Sequence, residues 1–305
     1  PPIRVLTKGG DTPPRAPLYR PPLHYPVMAY DEILRNAAAR WPDKEAIVWR
    51  GGTLTFRELD SLANALANGL RGLGIRKGDR VALYMRNRPE WVLALFASAR
   101  IGAVATPLNP AFKEREVEHQ VNDAQAVALV GEEELAPIVA GLRERLPALK
   151  HSVVVGKDRA GLGTPLASLL GRHKATLPPP FPFNWAEDLV ILPYSSGTTG
   201  LPKGVMLTHK NLVCNHVQIL ATLRFTEADV SLIFLPMSHI YGTMLAGTAV
   251  LAGATQIIME RFDLEASLRR FLHSLASVGY LDIHVTAPAL LADRFEVIEE
   301  LGRGG

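Results

Sequence analysis

The chain holds one cysteine, Cys214, among 305 residues. A single thiol excludes an internal disulfide framework and fits a reducing compartment. Following Leu212 and Val213, it reads as a buried, unreactive side chain. Long apolar runs are also missing: the longest, such as 91–99, falls well short of the ~20 residues needed to span a bilayer. No signal-peptide pattern opens the chain, so a cytoplasmic location without a transmembrane segment is expected. Charge of one sign is scarce as well. The 33 Lys and Arg nearly balance the 30 Asp and Glu, and the signs interleave, which argues against a nucleic-acid partner. No residue spacing matches a zinc site, and no repeat of fixed period is present. The sequence opens on Pro1 rather than methionine, as a processed or partial chain does.

What is present is the composition of an ordinary globular protein, 48% hydrophobic and 21% charged, with length for about two domains at ~150 residues each. Residues 1–26, rich in proline, read as an extended, poorly ordered lead-in. From Tyr30 onward helical and strand patterns alternate. A helix is expected over 30–40, a strand over 46–49, and a Gly51-Gly52 turn into 53–55. Thr55 and Glu58 form a capping box for a helix carrying Leu59, Leu62, Leu66 and Leu70 on one face, ended by Gly72 or Gly74.

Further strands are expected over 80–85, 103–106, 126–130 and 152–155, with helices over 89–101, 113–123 and 132–146 between them. Such alternation predicts an α/β fold with a doubly wound, mostly parallel sheet covered on both faces. Glycines and the Pro178-Pro179-Pro180 run break the periodicity over 156–185. The domain reading is therefore a first α/β subdomain over 27–177 and a second, partial one over 178–292. Within the second, a helix over 211–223 with Thr208 as N-cap, a strand over 230–235, a helix over 244–252 and a strand over 256–259 are expected. A helix over 263–276 and a strand over 283–286 follow.

One loop carries chemistry. The run Tyr194-Ser195-Ser196-Gly197-Thr198-Thr199-Gly200-Leu201-Pro202-Lys203-Gly204 gathers three glycines, four hydroxyls and a lysine. Glycines let successive backbone N–H groups turn toward an anion, hydroxyls add neutral donors, and lysine supplies a mobile charge. The loop reads as a nucleotide-triphosphate clamp. It is not a Walker loop, because Lys203 precedes a glycine instead of following one, and G-x-G-x-x-G is absent. Apolar runs at 189–192 and 204–208 flank it, so it is expected to link two strands as a long glycine-rich hairpin.

Continued through Val205-Met206-Leu207-Thr208-His209-Lys210-Asn211-Leu212, this run closely resembles the signature of the adenylate-forming enzymes: acyl-CoA synthetases, 4-coumarate-CoA ligases, luciferases and peptide-synthetase adenylation domains. Three weaker stretches agree in order: Leu54-Thr55-Phe56-Arg57-Glu58-Leu59, Gly102-Ala103-Val104-Ala105-Thr106-Pro107-Leu108-Asn109-Pro110, and Leu235-Pro236-Met237-Ser238-His239-Ile240-Tyr241-Gly242. The resemblance implies a layered αβαβα N-terminal domain, incomplete at its C-terminus. It also implies a two-step reaction in which a carboxylic acid and ATP give an acyl-adenylate and pyrophosphate, and CoA then displaces AMP.

By the same resemblance, Ser195, Ser196, Gly197, Thr198, Thr199, Gly200 and Lys203 bind the phosphates, Ser195 lies nearest Mg²⁺, and Lys203 and His239 act in the chemistry, His239 beside the acyl carboxylate. The expected partners are therefore a carboxylic acid, ATP and CoA, and a homodimer is left open. The loop sequence and Pro107-Leu108-Asn109-Pro110 look more like ligases for fatty or aryl acids than like peptide-synthetase modules. For His209, His216, His273 and His284 an ordinary structural role is expected.

The family's magnesium-binding glutamate, ribose-binding aspartate, hinge and small C-terminal domain have no counterpart in these residues, so the piece alone is expected to be inactive. A non-catalytic nucleotide-binding or scaffold fragment is the alternative reading. The resemblance is expected to stop near Ala292. Residues 293–305 look like the opening strand of a bacterial Ser/Thr kinase domain, or equally like a terminal acidic helix stopped by Gly302.

Overall fold

A computed structural model describes residues 22–195 and 202–260. The elements expected over 263–276 and 283–286, the 293–305 tail and most of the 1–26 lead-in lie outside those residues. In chain order the elements are α1 (Glu32–Arg40), β1 (Glu45–Trp49), β2 (Gly52–Thr55), α2 (Phe56–Gly72), β3 (Arg80–Tyr84), α3 (Pro89–Arg100), β4 (Val104–Leu108), α4 (Glu114–Asp123), β5 (Ala126–Glu132), α5 (Ala136–Gly141) and β6 (His151–Val155). Then follow β7 (Thr164–Pro165), α6 (Leu166–Arg172), β8 (Leu189–Ile191), β9 (Tyr194–Ser195), β10 (Lys203–Gly204), β11 (Leu207–Thr208), α7 (His209–Leu223), β12 (Val230–Ile233), α8 (Ile240–Ala252) and β13 (Thr255–Ile258).

The larger sheet runs β11-β8-β4-β3-β5-β6-β7, parallel except for β11. The chain steps from β3 to β4 on one side, then crosses back over β3 to β5 and β6. This doubly wound path is the expected one, and it sends α3 to one face and α4 and α5 to the other. Strand alternation fits both faces. Val81 and Leu83 join the core built on α1, α2 and α3, whereas Ala82 and Tyr84 join Val117, Val121 and Val139 of α4 and α5. The smaller sheet, β12-β13-β1-β2, is parallel except for β2. It packs on α2 and α8, so the described layers alternate helix, sheet, helix, sheet. Strands are exchanged across residue 177: β1 and β2 join the sheet of β12 and β13, and β8 and β11 complete the larger one.

Local signals explain most boundaries. Thr55 closes its capping box with Glu58, and Thr208 caps α7 through Asn211, so that helix starts at His209, two residues before the expected position. Three expectations need correction. The helix expected over 132–146 is instead the end of β5, α5 and a 3₁₀ turn at Arg143–Arg145. Glu132 continues the parallel ladder opposite Val155, and Pro137, which lacks an N–H, can sit only in a first turn. The 156–185 stretch is not devoid of order, because Leu166 and Leu169 of α6 are buried there. Leu169 fills a notch at Gly69 of α2, where a Cβ would stand 2.6 Å from its Cγ. Finally, Cys214 is only half-buried on α7.

Candidate functional site

The two described ends of the phosphate-loop run pair as the expected hairpin requires. Lys203 pairs with Ser195 and Gly204 with Tyr194 in antiparallel register, and Val205 N–H donates to the Pro193 carbonyl at 2.8 Å. Ser195 and Lys203 are both exposed. The Ser195 hydroxyl makes one long bond, 3.5 Å, to the Lys203 carbonyl. Ser196, Gly197, Thr198, Thr199 and Gly200 lie outside the described residues.

Helix α4 braces the base of this hairpin on both sides. The Tyr194 hydroxyl donates to the Asp123 carboxylate at 2.5 Å, and a His119 ring nitrogen lies 3.2 Å from the Pro202 carbonyl. The His119 ring also meets the Tyr194 ring edge-on. Burial first, and then the Asp123 bond and charge, push the Tyr194 phenol above its ordinary value, so it stays a donor. Gln120, itself buried, donates to Thr106 Oγ1 (3.1 Å) and the Pro107 carbonyl (2.8 Å), and Thr106 donates on to the Leu192 carbonyl (3.0 Å). Beside this base a cavity of about 730 Å³ opens, lined by Arg115, His119, Asp123 and Pro202 among others.

His239 stands at the start of a helix. It is the N-cap of α8, which begins at Ile240, four residues before the expected 244, because the imidazole itself caps the helix. Its Nδ1 accepts the Tyr241 N–H at 3.3 Å, so the neutral ring carries its proton on Nε2, and the side chain is exposed. The turn before it is held tightly. His239 N–H donates to the Pro236 carbonyl (3.0 Å), and Thr243 Oγ1 donates to the Met237 carbonyl (2.8 Å). Asn87 holds the same turn from the end of β3, its Nδ2 donating to the Leu235 carbonyl (2.8 Å) and its Oδ1 accepting Met237 N–H (2.7 Å).

These contacts put the hairpin and the His239 turn on one edge. The hairpin leaves the carboxyl end of β8, and the turn is tied to the carboxyl end of β3, two strand spacings or about 10 Å away across the sheet. In open α/β sheets ligands bind at this edge, outside the strand ends where the winding reverses. A second cavity there, about 880 Å³, is lined by Arg86, Asn87, Arg88, Glu132 and Glu260 among others. Most of its charges pair with one another: Arg86 with Glu132 (2.7 Å), Glu134 (3.3 Å) and Glu260 (2.5 Å), and Arg88 with Glu90 and Glu132.

Among the described residues no group of histidines, cysteines and carboxylates could hold a metal ion by itself, and no helix is long and apolar enough to cross a membrane. His209 and His216 have the structural roles expected of them. His209 Nδ1 accepts Tyr30 N–H (2.8 Å), and His216 bridges Thr248 (2.8 Å) and the Tyr30 hydroxyl (3.3 Å), both rings being fully buried. His273 and His284 lie outside the described residues. Asn87, His119, Gln120 and Asp123 carried no motif, and only the Asn87-Arg88-Pro89 break after an apolar strand marks a strand end worth inspecting.

The family described as AMP-binding enzyme matches residues 34–297. Residues 293–297, read from the sequence as outside the family, therefore fall within it. A 4-coumarate–CoA ligase of Oryza sativa subsp. japonica is 37% identical over 243 residues, covering 72% of this chain and 40% of the relative. A long-chain-fatty-acid–CoA ligase of Bacillus subtilis is 30% identical over 267 residues, covering 79% of this chain and 48% of the relative. Among solved structures, a long-chain-fatty-acid-CoA ligase from Archaeoglobus fulgidus superposes with a TM-score of 0.77 at 28% identity, over 83% of this chain and 52% of that one. The chain thus spans less than half the length of these two curated relatives.

Proposed function

The chain belongs to the AMP-binding enzyme family, and from that premise we propose that it is the N-terminal part of an ATP-dependent, AMP-forming acid–CoA ligase. The reaction is carboxylic acid plus ATP to acyl-AMP and pyrophosphate, followed by CoA displacing AMP to give acyl-CoA. One observation carries the reading above all: the β9–β10 ladder sets Ser195 opposite Lys203 at the carboxyl edge of the doubly wound sheet. In this reading Ser195, Ser196, Gly197, Thr198, Thr199, Gly200 and Lys203 grip the polyphosphate. Donors preorganised around a leaving pyrophosphate stabilise the charge that grows on it.

Mg²⁺ arriving with ATP supplies charge neutralisation on the phosphates, and the exposed, loosely held Ser195 hydroxyl suits a ligand position beside it. His239, with its proton on Nε2, offers the acyl carboxylate one hydrogen bond without a fixed charge. The relatives' names point to aryl or fatty acids. Cytoplasmic location belongs to the same proposal, supported by the lone cysteine. Assembly as a homodimer, which the resemblance leaves open, is read by light scattering on the purified chain. The decisive assay is ATP–pyrophosphate exchange by the chain joined to the C-terminal part of a relative, with hydroxycinnamic and long-chain fatty acids. Acid-dependent exchange is expected; none with any acid of either class contradicts the proposal.

A further inference from the structure

We infer that Asn87 is the positioning residue that sets the place of His239, an inference that deepens the reading of that site and rests on it. Asn87 is 7% exposed, and the two bonds its side chain makes go to one turn, 235–237, from about 150 residues away. The chemistry of the partners fixes its orientation, since a carbonyl can only accept and an N–H only donate. The amide therefore acts as a peptide unit, adding one rung between the end of β3 and the segment leaving β12. Everything downstream of that rung is short and rigid. Thr243 is tied to the Met237 carbonyl, His239 N–H to the Pro236 carbonyl, and Thr243 N–H to the His239 carbonyl (3.1 Å).

Gly242 packs so closely under Pro236 and Met237 that a Cβ there would stand 2.7 Å from the Pro236 carbonyl carbon. The turn thus has no slack of its own, and its height above the large sheet is set by Asn87. His239 sits on the smaller sheet's connection, but it is aligned with the larger sheet, whose carboxyl edge carries the phosphate hairpin. A turn held only through β12 would move with the smaller sheet. Held through Asn87, it keeps its distance from the hairpin.

Histidine-ring NMR and amide hydrogen exchange on the 305-residue chain test this. In the wild-type chain Met237 N–H is expected among the protected amides; rapid exchange there overturns the inference without any variant. Asn87→Ala is expected to speed Met237 exchange on the order of tenfold and to move the His239 ring resonance, while those of His209 and His216 hold. Asn87→Asp keeps the shape and the acceptor but turns a second oxygen toward the Leu235 carbonyl. It is expected to shift His239 with a smaller change at Met237, and it serves where the alanine variant does not fold.

A His239 resonance unmoved in both variants overturns the inference. So does a disturbance of His209 and His216 as large as that of His239, which marks a general loss of packing. In the joined protein, the fall in exchange rate caused by Asn87→Ala is expected to vanish in a His239→Ala background. Full exchange activity in His239→Ala alone sinks the role proposed for that histidine, and the ring resonances then judge the placement by Asn87 separately.

Discussion

Replacing Gly242 by alanine is the sharpest test of how the His239 turn is packed. The added Cβ would lie 2.7 Å from the Pro236 carbonyl carbon and 3.0 Å from the Met237 Cα, closer than carbon atoms tolerate. Both neighbours are backbone, so no side-chain rotation relieves the clash. Helix α8 cannot retreat either, because Thr243, Ala246, Ala249 and Val250 are buried against its other neighbours. Overpacking of this kind costs about 1–3 kcal/mol, and a rigid backbone partner puts it at the upper end. Alanine's helix preference returns less than about 1 kcal/mol in a first turn. The net expectation is about 2 kcal/mol of destabilisation, or a melting temperature about 4–8 °C lower. Gly171→Ala provides the contrast, since Gly171 lies in α6 with nothing within 4 Å of its added Cβ. There the same substitution is expected to stabilise by about 0.5–1 kcal/mol. Urea unfolding of both variants reads the difference, and a Gly242→Ala protein as stable as wild type refutes the packing argument.

Buried histidines make stability depend on acid. Burial lowers His209 to about 4 and His216 to about 3. Below the unfolded value near 6.5 the unfolded chain takes up protons that the folded one refuses, so stability present above pH 6.5 is lost as pH falls toward 4 and 3. The two together give a slope of up to about 2.7 kcal/mol per pH unit. Urea midpoints from pH 7.5 to 5 should show it, with about half the slope in His216→Gln; equal slopes contradict the assignment.

Arg100, 3% exposed, donates to the Asp60 carboxylate (2.7 Å) and Asn64 (2.9 Å) and lies 3.5 Å from Asp31. Arg100→Ala should cost about 3–5 kcal/mol by leaving the buried Asp31 carboxylate and the partly buried Asp60 without their shared cation, and a loss below 1 kcal/mol in calorimetric unfolding argues against that cluster.

The hairpin was legible because its signal is local. Glycines, hydroxyls and a lysine in a set order, between two apolar strands, need no distant partner to be recognised. The capping boxes at Thr55 and Thr208 are legible for the same reason, each closing within three residues. Expectations failed where a distant partner decided the outcome. Glu132 stays in a strand because β6 pairs with it, and α6 exists because Gly69 offers Leu169 a notch. The bracing residues of the site are of this second kind. Asp123 meets Tyr194 from 71 residues away, and Asn87 meets Met237 from 150. Hydrogen bonds of that span leave no period or spacing in the sequence. The exchange of strands between the two sheets left none either.

The central claim is that the hairpin at 194–204 grips polyphosphate through Lys203 and the hydroxyls before it. Calorimetric titration of the isolated chain with Mg-ATP, wild type against Lys203→Ala, tests it most directly. Losing a charged contact of this kind costs about 1.5–3 kcal/mol, so saturable binding is expected, weakened on the order of tenfold or more by the substitution. Binding of equal strength in the two proteins, or no saturable binding at all, contradicts the claim.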